Sequence, residues 1–181
     1  MAAAFDGLVK EGKVRYVAMS NFSPERMREW FQVATEASLA APVAIQNQYN
    51  LLYRKDFEQS YQPICEEFGV AEFSYFSLAS GFLTGKYRKA EDLAGKERSD
   101  FLSAYNRPES FALVDALVKV AAELGSSPTA VSLAWLRAKG VASPIASARN
   151  PQQLKDLVAS ASLTLPAEAI AVLDEKSQPF A

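Results

Sequence analysis

Tyr75 to Tyr87 reads YFSLASGFLTGKY, the stretch of this chain best suited to chemistry. The apolar run GVAEFSYF ends in an aromatic, small residues follow, and then a lysine. Small residues let a backbone approach a ligand closely, and free N–H groups there can hold an anion. Further polar candidates stand at Ser20-Asn21, Gln46 and Ser147 to Arg149. The planar fork of an arginine suits a phosphate, because it donates parallel hydrogen bonds. The chain has no histidine. The pattern therefore speaks of something bound more than of a complete set of reacting groups.

These residues need elements to position them. Phe5, Leu8 and Val9 have helical spacing, and Gly12 is a stop signal. Val14 to Met19, Val43 to Gln46, Val70 to Tyr75 and Val141 to Ile145 read as strands. Ser23-Pro24, Ser127-Pro128 and Asn150-Pro151 each read as an N-cap followed by proline at the first helical position. Met27, Trp30, Phe31 and Ala34 line the first of these helices, and Phe57, Tyr61, Ile64, Cys65 and Phe68 line another that Gly69 ends. Two more helices carry Val114, Leu117 and Leu124, and Ile170 and Leu173 after Leu165-Pro166. The segment from Leu83 to Pro108 is too long for a simple connection and reads as functional or mobile.

Alternating strands and helices imply parallel strands with right-handed crossovers. No Gly-x-Gly-x-x-Gly follows a strand, which weighs against a Rossmann domain. The candidates fall just after strand ends, which is where the active face of a barrel lies. Four strands cannot close a barrel of this unit, which needs eight. The four form an open sheet, or half of something.

The bulk numbers narrow the class. The chain has 181 residues, 49% apolar and 22% charged, with 19 basic and 21 acidic side chains. That length fits a single domain over residues 1–181. A net charge of −2 leaves no basic face for nucleic acid. One cysteine, Cys65, excludes an internal disulfide and points to a reducing, cytoplasmic setting. No apolar run approaches the ~20 residues of a membrane span. No metal-ligand pattern is present either.

Five motifs then carry a resemblance: VRYVAMSNFS, IQNQYNLLYR, YFSLASGFLTGKY, SPIASARNPQQL and LTLPAEAIAVLD. In order and spacing they resemble the second half of an aldo-keto reductase. The resemblance implies the second half of a (β/α)8 TIM barrel, with four parallel strands and surrounding helices. It implies an extended nicotinamide cofactor, usually NADPH, and a small carbonyl substrate reduced by hydride transfer. Ser20 and Asn21 would then hold the nicotinamide carboxamide with help from Gln46, and Tyr75 would stack on the ring. Leu78, Ser80 and Gly81 would line the pyrophosphate, with Lys86 adding a positive charge. Ser147 and Arg149 would grip the 2′-phosphate of the adenosine ribose, with Gln153 beside them. The family has Ser-Pro where this chain has Phe76-Ser77, and a carboxamide where it has Leu157.

The family's proton-donating tyrosine and its lysine, aspartate and histidine partners come from the first half of the barrel. None of the seven tyrosines matches that motif, so no catalytic residue is assigned. A non-catalytic dinucleotide-binding half-barrel, or a truncated remnant, is the alternative function. The phosphate-binding half of an isomerase or synthase barrel ranks lower, since it leaves Ser20-Asn21 and Gln46 unexplained. A half-barrel also leaves strand edges open, and open edges invite self-association.

Overall fold

The computed structural model describes residues 1–93 and 102–181. Helices α1 (Ala2–Lys10) and α2 (Pro24–Glu36) flank strand β1 (Val17–Ser20), and strand β2 (Pro42–Gln46) follows. A π-helical turn (Phe57–Tyr61) runs into α3 (Gln62–Phe68), which leads to β3 (Ala71–Glu72). Short 3-10 turns at Ala79–Thr84 and Ala90–Leu93 come next. Four helices complete the described chain: α4 (Pro108–Glu123), α5 (Pro128–Ala138), α6 (Pro151–Ser162) and α7 (Ala167–Ser177). The segment from Leu83 to Pro108 thus holds local turns on both sides of residues 94–101, which lie outside the described residues.

The caps form as their sequences dictate. Ser23 Oγ accepts from Arg26 N at 3.3 Å, Ser127 Oγ from Ala130 N at 3.1 Å, and Asn150 Oδ1 from Gln153 N at 2.9 Å. In each case the next residue is proline, whose missing N–H would have had no partner anyway. Gly69 ends α3 in the left-handed region at φ 64°, where a Cβ would be strained.

The sheet is parallel with order β1-β2-β3. It has three strands; the fourth, expected at Val141 to Ile145, is not one. That segment still runs beside β3. Ala142 N donates to Glu72 O at 2.9 Å, and Ile145 N to Ser74 O at 2.8 Å. Pro144, between them, has no N–H, so a regular ladder cannot develop. The strand expected over Val70 to Tyr75 is regular only at Ala71–Glu72. Beyond that it keeps single bonds, Phe73 N to Ile45 O and Tyr75 N to Asn47 O, both 2.9 Å.

Register fixes which side chains face the helices. Met19 pairs with Ile45, and Ile45 with Glu72; all three are buried beneath the helical layer. Alternation sends Ala18, Ser20, Gln46 and Phe73 to the opposite face, where all are exposed. The core beneath the sheet centres on Trp135, Tyr49 and Phe57, with ring centroids 5.6 Å apart for Tyr49–Trp135 and 4.5 Å for Tyr49–Phe57.

A polar clasp ties the strand-end loop to the last helix. Buried Arg54 donates to Glu58 Oε1 at 2.8 Å, to Ser177 Oγ at 2.6 Å and to the carbonyl of Asp174 at 3.1 Å. Trp135 Nε1 donates to the Asp174 carboxylate at 2.9 Å. Among the described residues no single helix is long and apolar enough to cross a membrane.

Candidate functional site

Two groups of residues meet at the C-terminal ends of the strands. The first is carried by β1, β2 and the extension of β3. Ser20 Oγ donates to the backbone carbonyl of Gln46 at 2.8 Å. Tyr75 Oη donates to Asn21 Oδ1 at 2.8 Å. Asn21 sits in the left-handed region at φ 56°, which asparagine tolerates better than most residues. Its N–H donates to Asn47 Oδ1 at 3.3 Å, so neighbouring strand ends are cross-tied by side chains.

Asn47 was not singled out in the sequence. It hides between two glutamines in IQNQY, and only the fold shows that its side chain turns toward Asn21. Its own N–H donates to Glu72 Oε1 at 3.4 Å, while Glu72 Oε2 is buried without a hydrogen-bond partner among the described residues. Burial pushes the Glu72 carboxyl up to about 8, and the Asn47 N–H only partly opposes this.

The second group lines a cleft of about 1000 Å³. Leu78, Ser80, Gly81 and Lys86 come from the turn after β3; Ser147, Arg149 and Gln153 come from the segment entering α6. Phe76 lines the same cleft directly after Tyr75, so the two groups adjoin. Of the site candidates taken from the sequence, Leu78, Ser80, Gly81, Lys86, Ser147, Arg149 and Gln153 line this cleft, while Ser20, Asn21, Gln46 and Tyr75 stand at the neighbouring strand ends.

The turn after β3 is unusual in its backbone. Phe76, Ala79 and Ser80 have φ of 52°, 47° and 56°, and Gly81 has 92°. Left-handed non-glycine residues cost about 1–2 kcal/mol each, and such outliers gather at ligand clamps. An added Cβ at Gly81 would stand 3.3 Å from Lys86 Nζ, so the missing side chain lets the ammonium close over the turn. Ser77 Oγ donates to the Ser74 carbonyl at 2.9 Å, and Asn50 Nδ2 to the Phe76 carbonyl at 3.0 Å. These bonds hold the turn that a proline would otherwise stiffen.

At the other wall, Arg149 N donates to Gln153 Oε1 at 2.8 Å. Asp156 and Leu157 also face the cleft. They follow Gln153 by three and four positions on α6, a helical face that spacing alone could have revealed. Leu157 gives the cleft an apolar wall. Cys65 is buried, and burial pushes its thiol up to about 12, so it is not a reactive thiolate. Among the described residues no cluster of metal-ligating side chains occurs.

The donor set suits an elongated, doubly anionic ligand. One end offers hydrogen-bonding amides beside an aromatic ring, the middle a tight turn with an ammonium, and the far end a guanidinium at a helix N-terminus. A nicotinamide dinucleotide has that sequence of parts, so the residues present fit it.

The Aldo/keto reductase family profile matches residues 1–178. Protein tas of Escherichia coli is 30% identical over 174 residues, covering 94% of this chain and 50% of that protein. Aldo-keto reductase str7 of Strobilurus tenacellus is 31% identical over 176 residues, 92% of this chain and 49% of that protein. An aldo-keto reductase of Babesia bovis is 36% identical over 91 residues, 49% of this chain and 32% of that protein. The chain thus spans about half the length of tas and str7. With the profile matching nearly the whole chain and relatives at 30% identity or more, the chain belongs to the Aldo/keto reductase family.

Proposed function

We propose that this chain is the dinucleotide-binding half of an NADPH-dependent reductase of aldehydes or ketones. The observation that carries this reading is the junction of the Tyr75–Asn21 pair with the cleft that holds Lys86 and Arg149. Ser20 and Asn21 orient the nicotinamide carboxamide, with Gln46 beside them. The Tyr75 ring covers one face of the nicotinamide, leaving the other for the substrate. Leu78, Ser80 and Gly81 bring backbone against the pyrophosphate, and Lys86 offsets its charge. Ser147 and Arg149 hold the ribose 2′-phosphate, aided by the positive end of α6. Gln153 keeps Arg149 in place through the bond to its N–H. When bound, NADPH supplies the hydride.

The proton for the carbonyl oxygen needs an acid outside this set. The sequence has no histidine, and none of its seven tyrosines matches the family's proton-donating motif. A complementary (β/α)4 unit, covering the open face of the sheet, is proposed to carry that acid. The same absence favours a second reading, in which the chain binds the dinucleotide without turning it over.

A fluorescence titration with NADPH and with NADH tests the binding. NADPH is expected to bind more tightly. Arg149→Ala is expected to remove charge-assisted bonds of about 1.5–3 kcal/mol, weakening NADPH some 10- to 100-fold. NADH affinity should stay unchanged. No binding of either nucleotide, or an unaltered preference in the variant, refutes the reading. Turnover of a simple aldehyde separates the two functions. The reductase reading expects it only when the complementary half is supplied; its absence even then leaves the binding module.

A further inference from the structure

A second cavity lies apart from the dinucleotide cleft, where the loop after β2 meets the N-terminus of α4 and the chain near Phe180. Its volume is about 370 Å³. Lys55, Gln59, Ser60, Arg107 and Phe180 line it, together with Asp56. Arg54 reaches it too, but its charge is already answered by Glu58 at 2.8 Å and Asp174 at 3.7 Å.

Lys55 and Arg107 are different. Neither makes an ion pair or a side-chain hydrogen bond among the described residues. Arg107 instead lies over the Phe180 ring, 4.1 Å from its centroid. A guanidinium held by a ring face is oriented while its N–H edge stays available. Among the described residues Asp56 is the lone carboxylate lining the cavity, and Tyr53 Oη donates to it at 3.4 Å. The lining therefore carries more unanswered positive than negative charge.

An independent feature marks the same place. Gln59 and Ser60 reach the cavity from the π-helical turn Phe57–Tyr61. Such turns are rare and tend to be kept where they serve a site. Here the widened turn interrupts what the apolar spacing from Phe57 to Phe68 describes as one helix. It sets two neutral hydrogen-bonding side chains beside the two cations.

We propose that this cavity binds a small organic anion, a phosphate or carboxylate group, gripped by Arg107 and Lys55 with Gln59 and Ser60 as neutral partners. The site is independent of the dinucleotide reading, since it shares no lining residue with that cleft.

The test is a titration of the full chain, labelled with 15N, with sodium phosphate and separately with sodium acetate. Sodium chloride holds the ionic strength constant. Saturable shifts of the Gln59 and Ser60 amides are expected, and Arg107→Gln should weaken them at least tenfold. Tighter binding of phosphate assigns a phosphorylated ligand; acetate binding as tightly assigns a carboxylate. Immobile amides at Gln59 and Ser60 overturn the proposal, as do shifts confined to Ser147 through Gln153. Should Arg107→Gln not fold, Lys55→Gln decides, because Lys55 is exposed. Undiminished binding in that variant overturns the site.

Discussion

Glu72 shows what a single residue can impose. In VAEFSY, alternation buries Val70, Glu72 and Ser74 and exposes Phe73. The polar side chains are inside and a large aromatic is outside, the reverse of an ordinary half-buried strand. Burial pushes the Glu72 carboxyl up to about 8, from the 4.5 of a solvated glutamate. Between those values the folded chain holds a proton that the unfolded chain has released. Stability therefore falls as pH rises through that window, and is highest below it. The slope approaches 1.4 kcal/mol per pH unit, taken as about one proton. Glu72→Gln is expected to flatten it, read as urea midpoints at mildly acidic and mildly alkaline pH. A variant with the wild-type slope would place the titration elsewhere.

At the level of elements, the helix starts were the most legible feature, because Ser-Pro and Asn-Pro pairs state their own geometry. The strands were legible only where hydrogen bonding is regular. Val141 to Ile145 has a strand's composition, yet Pro144 denies it a ladder, and no local pattern shows that its neighbours donate to Glu72 and Ser74. The motif positions after strand ends were legible as a set. The Asn47 bridge was not, since it depends on which way a strand end is turned; Asp156 could have been found from its helical spacing to Gln153. The caps allow a comparison. Ser127→Ala and Asn150→Ala should each cost about 1 kcal/mol in a denaturant melt. Asn150→Ala should weaken NADPH more than Ser127→Ala, because the α6 start holds Gln153 next to Arg149, whereas the α5 start brings only Thr129 to the cleft. Equal effects on nucleotide affinity would deny α6 that role.

At the level of the molecule, the sheet has one face under helices and one in solvent. Phe73 is 36% exposed on that open face, beside Ala18, Ser20 and Gln46, and β1 lies at the edge of the sheet. Unpaired strand edges and uncovered aromatic surface favour pairing with another chain. Sedimentation is expected to show association that grows with concentration, and Phe73→Lys should reduce it while leaving the melt cooperative. A monomer at every concentration tested would mean that the face is content with water. The Arg54 clasp has its own consequence for how this shape is reached. Arg54 and Ser177 stand 123 positions apart in a chain of 181 residues, so their meeting closes a loop of about two thirds of the polypeptide. Contacts of such reach come late and make folding slow. Before the last helix docks, Glu58 alone of the two carboxylates beside Arg54 is there to answer its charge.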